Sequence, residues 1–245
     1  MRATIAALKD RVRYKDNPYF RALADGSFSR EDFVETQIQF FFAVVFFSRP
    51  IAALAARLPR ADMRLLLLEN VEDEHGHGDL RLSHEQTFQT FLARLGVTPE
   101  YAEGRAMWPE VRAFNTLLSV LCLLDDTPTG LATLGMIEDL FSGISGTIGS
   151  LVVARGWLKK EELVHYSAHE VLDVAHADGF YRPLEEPWRT SPIARYQIEQ
   201  GLELGAYAFL TMYRDLFAAR GRRWARAISG AHSQAAGTSP WVPKV

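Results

Sequence analysis

An all-α fold is predicted for this 245-residue chain by three features of its sequence. Apolar residues recur at helical spacing through long segments, no stretch sustains the period-two alternation of a half-buried strand, and helix start and stop signals fall at the segment boundaries. A first helix is expected over residues 2–13. Asn17-Pro18 opens a short second helix that ends at Asp25-Gly26, where glycine suits the left-handed cap. Ser29, with acidic Asp32 three residues on, resembles a capping box and starts a long helix reaching Leu58-Pro59. Further helices are expected over 61–95, 107–124, 129–155, 159–180 and 191–228, separated by Gly-Val-Thr-Pro, Asp-Asp-Thr-Pro-Thr-Gly, Arg-Gly-Trp and Glu-Glu-Pro-Trp. Residues 1–229 read as one helical domain without internal repeats, and residues 230–245, rich in Ala, Ser, Gly and Pro, read as a mobile tail.

A hydrophobic content of 48% over this length builds one sizeable core. The net charge of −3 gives no reason to expect nucleic acid or an anionic membrane as partner. The arginines at 214, 220, 222, 223 and 226 form a local basic end, read as a solvated helix terminus. Cys122 is the only cysteine, which excludes a disulfide framework and suits a reducing, cytoplasmic setting. Met1 to Tyr14 alternates charge with apolar residues, so no signal peptide is expected, and the apolar stretch Ile38 to Phe47 is too short to span a bilayer.

The chemistry is announced by His169, Asp173 and His176. At 100° per residue Asp173 falls about 40° past His169 and His176 about 20° short of it, so two imidazoles and a carboxylate share one helix face. Imidazole with carboxylate is a ligand mixture for iron, with zinc or manganese as rivals; the competing reading is a pair of solvent-exposed histidines. Six of the seven histidines fall in two clusters, residues 75–84 and 165–176, instead of being scattered.

The first cluster follows an acidic segment, Glu69 to Glu74, set between the apolar run Leu65 to Leu68 and the helically spaced Phe88, Phe91, Leu92 and Leu95. Acidic residues on a core-facing segment need pairing or a metal. Gly76 and Gly78 each cost roughly 1 kcal/mol inside a helix and mark a kink, bulge or close backbone approach. Glu74 and His84 are candidate ligands on this basis. A third carboxylate comes from Leu131 to Val153, where the single acidic pair Glu138-Asp139 interrupts small and apolar residues. Asp139 is placed outward and Glu138 inward, as a ligand or as a buried glutamate paired with arginine or capped by hydrogen bonds.

Taken together, Leu68-Glu69-Asn70-x-x-Asp73-Glu74-x-Gly76-x-Gly78, then Ser83-His84 and Phe88, then Glu138, then His169-x3-Asp173-x2-His176 resemble the haem-oxygenase-like non-haem diiron oxidases and oxygenases. Asn17-Pro18-Tyr19-Phe20 with Asp25-Gly26-Ser27-Phe28-Ser29 is similar to the opening segment of that fold, so the resemblance spans roughly residues 15–215. It implies a seven-helix, all-α bundle holding two Fe(II) ions, with O2 as co-substrate and no porphyrin. The implied ligands are Glu74, His84, Glu138, His169, Asp173 and His176. Some members add a glutamate from the preceding helix, but Phe46-Phe47-Ser48-Arg49-Pro50 offers no carboxylate there. His77, Glu72 and Asp73 are supplementary candidates.

The resemblance implies an oxidoreductase that activates O2 on a small amino-acid-like or carboxylate metabolite in a biosynthetic pathway. Phe40, Phe41, Phe42, Phe46, Phe47 and Phe141 are candidates for a dry wall, with ordinary core packing as the competing reading; Phe46 and Phe141 with Tyr19 are candidates for substrate contacts, and Arg49 for a substrate carboxylate, with Arg155 a weaker one. Members hydroxylate amines, cleave amino acids or fatty acids, or make an aromatic amine from their own side chains. The last ranks lowest, since Tyr19 is a candidate donor but no lysine lies near Glu138. A homodimer is compatible with so apolar a bundle. Two other classes compete: a cofactorless or hydrolytic enzyme of the same fold, thiaminase-like or pyrroloquinoline quinone synthase-like, and a noncatalytic helical interaction protein. The thiaminase-like reading needs a cysteine nucleophile beside a carboxylate, whereas Cys122 lies in the apolar run Leu118 to Leu124 with no base nearby.

Overall fold

The computed structural model describes residues 1–226, apart from the side chains of residues 167–175. The expected tail, 230–245, therefore lies outside the described residues, as do the side chains of His169 and Asp173. The described backbone is helical, in the order α1 (Arg2–Val12), α2 (Pro18–Asp25), α3 (Arg30–Arg57), α4 (Ala61–Glu74), α5 (His84–Arg94), α6 (Pro99–Glu103), α7 (Pro109–Leu123), α8 (Thr127–Ala154), α9 (Val164–Tyr181), α10 (Glu185–Thr190) and α11 (Pro192–Ala218). Among the described residues the one β-type pairing is an isolated antiparallel bridge between Arg105 and Ala225.

The helices start where short polar side chains satisfy free backbone N–H groups. Asn17 accepts from the Tyr19 amide at 3.1 Å, and its own side-chain amide donates to the Leu210 carbonyl at 2.8 Å, tying the start of α2 to α11. Ser29 caps α3 by accepting from the Asp32 amide at 3.1 Å. Asp126 caps α8 through both oxygens, accepting from the Thr129 amide at 2.8 Å and the Thr129 hydroxyl at 2.9 Å.

Seven helices, α3, α4, α5, α7, α8, α9 and α11, pack on one another as the bundle, with α1 and α2 against its flank. The most apolar of these, α8, is buried on most of its faces between α9 and α11. Gly201 and Gly205 of α11 allow this closeness, since a Cβ at either would stand 2.4 Å from the Thr129 carbonyl oxygen or 2.6 Å from that of Thr133. Both α3 and α8 are long and apolar enough to cross a bilayer by length and composition. Each, however, packs against several helices of the bundle.

Three sequence expectations are corrected. The single helix expected over 61–95 is two helices joined by a pair of 3-10 turns, Gly76–Gly78 and Leu80–Leu82. Residues 76, 77 and 78 all have positive φ, 68°, 52° and 84°, which an α-helix does not accommodate. The helix expected to run from 191 to 228 ends at Ala218, and α10 and α6 were not anticipated because each is six residues or fewer. The basic end is exposed at Arg214, Arg223 and Arg226, as expected, but most of it lies beyond the helix. After Ala218 the chain turns back, its Trp224 carbonyl accepts from the Ala106 amide at 2.9 Å, and the Arg226 amide donates to the Gly104 carbonyl at 2.8 Å. Arg222 lies between the rings of Trp108 and Trp224 and pairs with Glu110 at 2.9 Å, while Arg223 pairs with Asp32 at 2.6 Å.

Candidate metal centre

The two helical halves of the 61–95 segment meet at a buried carboxylate–imidazole pair. Glu74 is the last residue of α4 and His84 the first of α5, so the excursion between them returns the chain to its starting point. His84 Nδ1 lies 3.0 Å from Glu74 Oε1, with side-chain exposures of 8% and 7%. The return depends on Gly76, where a Cβ would stand 2.7 Å from the Ser83 nitrogen and 2.8 Å from the Leu82 carbonyl carbon. Ser83 then caps α5, accepting from the Gln86 amide at 3.2 Å, which fixes the helix at whose start His84 sits.

A second pair faces the first. Glu138 of α8 points inward and is 3% exposed, whereas Asp139 points out to an ion pair with Lys9 of α1. Glu138 Oε2 lies 4.0 Å from His176 Nδ1 on α9, and the rings of His84 and His176 are 6.5 Å apart. The other nitrogen of His176, Nε2, is 2.8 Å from Asp73 Oδ2. Asp73 Oδ1 in turn lies 2.5 Å from His77 Nε2, so Asp73 and the exposed His77 stand behind His176.

Glu74, His84 and Glu138 form the polar end of a small cavity, about 40 Å³, whose other walls are mostly apolar, supplied by Phe40, Ala43, Val44, Phe47, Phe114, Ile137, Phe141 and Phe209. His165, which is not among the ligands expected from the sequence, also lines it. It is 1% exposed, its Nδ1 is 3.1 Å from the Thr87 hydroxyl, and its ring is 5.9 Å from that of His84. The signal was available: residue 165 precedes His169 by one helical turn and His176 by about three, on the same face.

Of the phenylalanines expected as a dry wall, Phe40, Phe47 and Phe141 line the cavity and Phe41, Phe42 and Phe46 do not. Arg49 is exposed, with its guanidinium over the Phe46 ring, and Arg155 donates to the Leu23 and Phe28 carbonyls away from the cavity. Tyr19 is buried behind the wall, its hydroxyl 2.8 Å from that of Thr36 while accepting from the Gln37 amide at 2.7 Å. Burial pushes its phenol above the usual tyrosine range. Cys122 is 1% exposed outside the cavity lining, and burial pushes its thiol up to about 12, which makes it a poor nucleophile at neutral pH.

The donor set fits iron. Neutral imidazole with carboxylate is a ligand mixture that suits iron, and Glu74, His84, Glu138 and His176 supply two of each, all buried. Among the described residues no group of three or more His, Cys, Asp or Glu side chains is arranged to hold an ion, and the donors come as two pairs.

A family profile describing an iron-containing redox enzyme matches residues 34–210. The chain belongs to this family of iron-containing redox enzymes. Within the family's reach, a 4-aminobenzoate synthase from Chlamydia trachomatis is 23% identical over 202 residues, covering 82% of this chain and 86% of that protein. A domain of unknown function with a haem-oxygenase-like fold from Shewanella denitrificans superposes with a TM-score of 0.73 at 13% identity, covering 90% and 91% of the two chains. A TenA homologue from Pyrococcus furiosus superposes with a TM-score of 0.63 at 14% identity, covering 87% and 97%. The iron-containing redox enzyme described here therefore has the haem-oxygenase-like fold, as the sequence resemblance implied.

Proposed function

We propose that this chain is an O2-activating non-haem diiron oxidase or oxygenase that acts on a small metabolite in a biosynthetic pathway. The observation that carries the reading is the meeting of the buried Glu74–His84 pair with Glu138 at the polar end of one apolar cavity, with buried His176 Nδ1 4.0 Å from Glu138 Oε2. Glu74, His84, Glu138 and His176 would hold the ions, joined by His169 and Asp173 as the family resemblance implies. When bound, ferrous iron supplies the electrons for reducing O2 and the open coordination positions that side chains lack.

The chain's own residues supply the rest. The phenylalanines keep water from the polar end, which protects a reactive oxidant and strengthens every charge interaction there. They also favour a substrate with an apolar or aromatic body and a polar group that reaches the carboxylates and imidazoles. Arg49, outside the cavity, is replaced as a recognition element by this polarity gradient. The name of the Chlamydia trachomatis relative, 4-aminobenzoate synthase, supports biosynthesis and raises the aromatic-amine product class that the sequence argument ranked lowest. The TenA homologue carries the fold of the hydrolytic alternative, but buried, high-pKa Cys122 does not supply its nucleophile.

O2 uptake by anaerobically Fe(II)-loaded protein, screened against amino acids, fatty acids and aromatic acids, tests this function. Substrate-dependent uptake that disappears in Glu138→Gln is expected. Iron-loaded protein that consumes no O2 with any of these classes would count against it.

A further inference from the structure

The histidine of the second pair has a choice of nitrogen, and the structure shows what makes it. We infer that Asp73 is a positioning residue that commits His176 to offering Nδ1 as its metal donor, and that the left-handed turn at residues 76–78 exists to hold Asp73 in that role. This rests on the metal-centre reading above.

The geometry is one-directional. His176 Nε2 lies 2.8 Å from Asp73 Oδ2, and a carboxylate is acceptor-only, so Nε2 carries the proton. The lone pair is then on Nδ1, the nitrogen that stands 4.0 Å from Glu138 Oε2. Asp73 is not itself placed as a ligand, because its second oxygen is taken: Oδ1 lies 2.5 Å from His77 Nε2. A carboxylate hydrogen-bonded behind a ligating imidazole fixes the ring's tautomer and orientation and raises its basicity.

His77 reaches Asp73 by an unusual route. It is a non-glycine residue at φ 52° and ψ 37°, flanked by glycines at φ 68° and 84°. An L-residue in that region costs roughly 1–2 kcal/mol, a strain that persists only where surroundings enforce it. Gly78 has open space around its Cβ position, so packing does not demand this path there. What the path achieves is the contact from His77 to Asp73, four residues back, which leaves the Asp73 carboxylate bridging an exposed imidazole and a buried one.

The test is nitrogen-15 NMR of histidine-labelled protein, metal-free and loaded with Zn(II) as a diamagnetic probe, together with Fe(II) titration of wild type, Asp73→Ala, Asp73→Asn and His77→Ala. Metal-free wild type should show the His176 Nε2–H tautomer, and Zn(II) should shift Nδ1 alone. Asp73→Ala should lose the tautomer preference and weaken Fe(II) binding about 10–100-fold. The isosteric Asp73→Asn should fall between it and wild type, and surface His77→Ala should weaken binding by several-fold. Circular dichroism identifies a variant that has lost its fold, in which case the Asn and His77 variants decide. An Nδ1–H tautomer in wild type, or Zn(II) on Nε2, overturns the inference. Equal Fe(II) affinity in wild type and folded Asp73 variants overturns the positioning role while leaving the metal centre standing. A wild type that binds neither Fe(II) nor Zn(II) overturns the metal-centre reading and this inference with it.

Discussion

Replacing Gly76 by alanine should damage the metal centre from a position that contributes no ligand, and Gly78→Ala is its internal control. Both glycines have positive φ, 68° and 84°, so alanine at either pays the left-handed conformational cost of about 1–2 kcal/mol. Only at Gly76 does the new methyl collide, at 2.7 Å from the Ser83 nitrogen and 2.8 Å from the Leu82 carbonyl carbon, both backbone atoms that cannot swing aside. Forcing such a contact open costs a further 1–3 kcal/mol or so. The expected destabilisation is therefore about 2–5 kcal/mol for Gly76→Ala against about 1–2 kcal/mol for Gly78→Ala. Since the atoms pushed away belong to the residues leading into His84, the Glu74–His84 approach should open as well. Urea unfolding, read at the midpoint with an unchanged slope, measures the first effect, and Fe(II) titration of folded protein the second. Equal stability and equal iron affinity in the two variants would refute the argument that close packing at Gly76 sets the ligand pair.

Other expectations follow from the same geometry. Glu138→Gln should weaken Fe(II) binding about tenfold or more, whereas Asp139→Asn, which breaks the pair with Lys9, should keep its iron and lose at most about 1 kcal/mol in unfolding experiments. Cys122, with its thiol raised from 9 to about 12 by burial, should react with a thiol reagent at pH 8 about 1,000-fold more slowly than in urea-unfolded protein. That rate should keep climbing about tenfold per pH unit above pH 9, where the unfolded thiol is already levelling off; a folded rate that also levels off near pH 9 would contradict the shift. Arg222→Ala should lower stability by about 1–2 kcal/mol, since its guanidinium sits between Trp108 and Trp224 and pairs with Glu110, without altering iron affinity.

The long helices were readable because their signals are local. Asn17-Pro18, Ser29 with Asp32, and Asp126 satisfy backbone donors within a few residues, and the apolar periodicity of α3 and α8 reports burial directly. The inward turn of Glu138 was readable for the same reason, as one of two adjacent acids in an otherwise apolar helix. Non-local contacts were not. An ideal helix separates Glu74 and His84 by about ten residues of rise, roughly 15 Å, and the two 3-10 turns between them bring them to 3.0 Å. The glycines hinted at a break without giving its direction. Likewise the fold-back of residues 219–226 onto Arg105 is held by pairs more than a hundred residues apart, for which spacing along the chain carries no information. That Arg49 and Tyr19 do not line the cavity was illegible for the same reason: helical position suggests which side chains share a face, but not which neighbouring helix covers that face.

Two iron ions are proposed to be held by Glu74, His84, Glu138 and His176. Anomalous scattering from crystals of anaerobically Fe(II)-loaded protein, recorded on both sides of the iron edge and paired with elemental analysis, tests it most directly. The account predicts about two iron atoms per chain, with one peak against Glu74 and His84 and a second against Glu138 and His176. Persistent absence of iron after loading, or iron bound away from these four side chains, would contradict it.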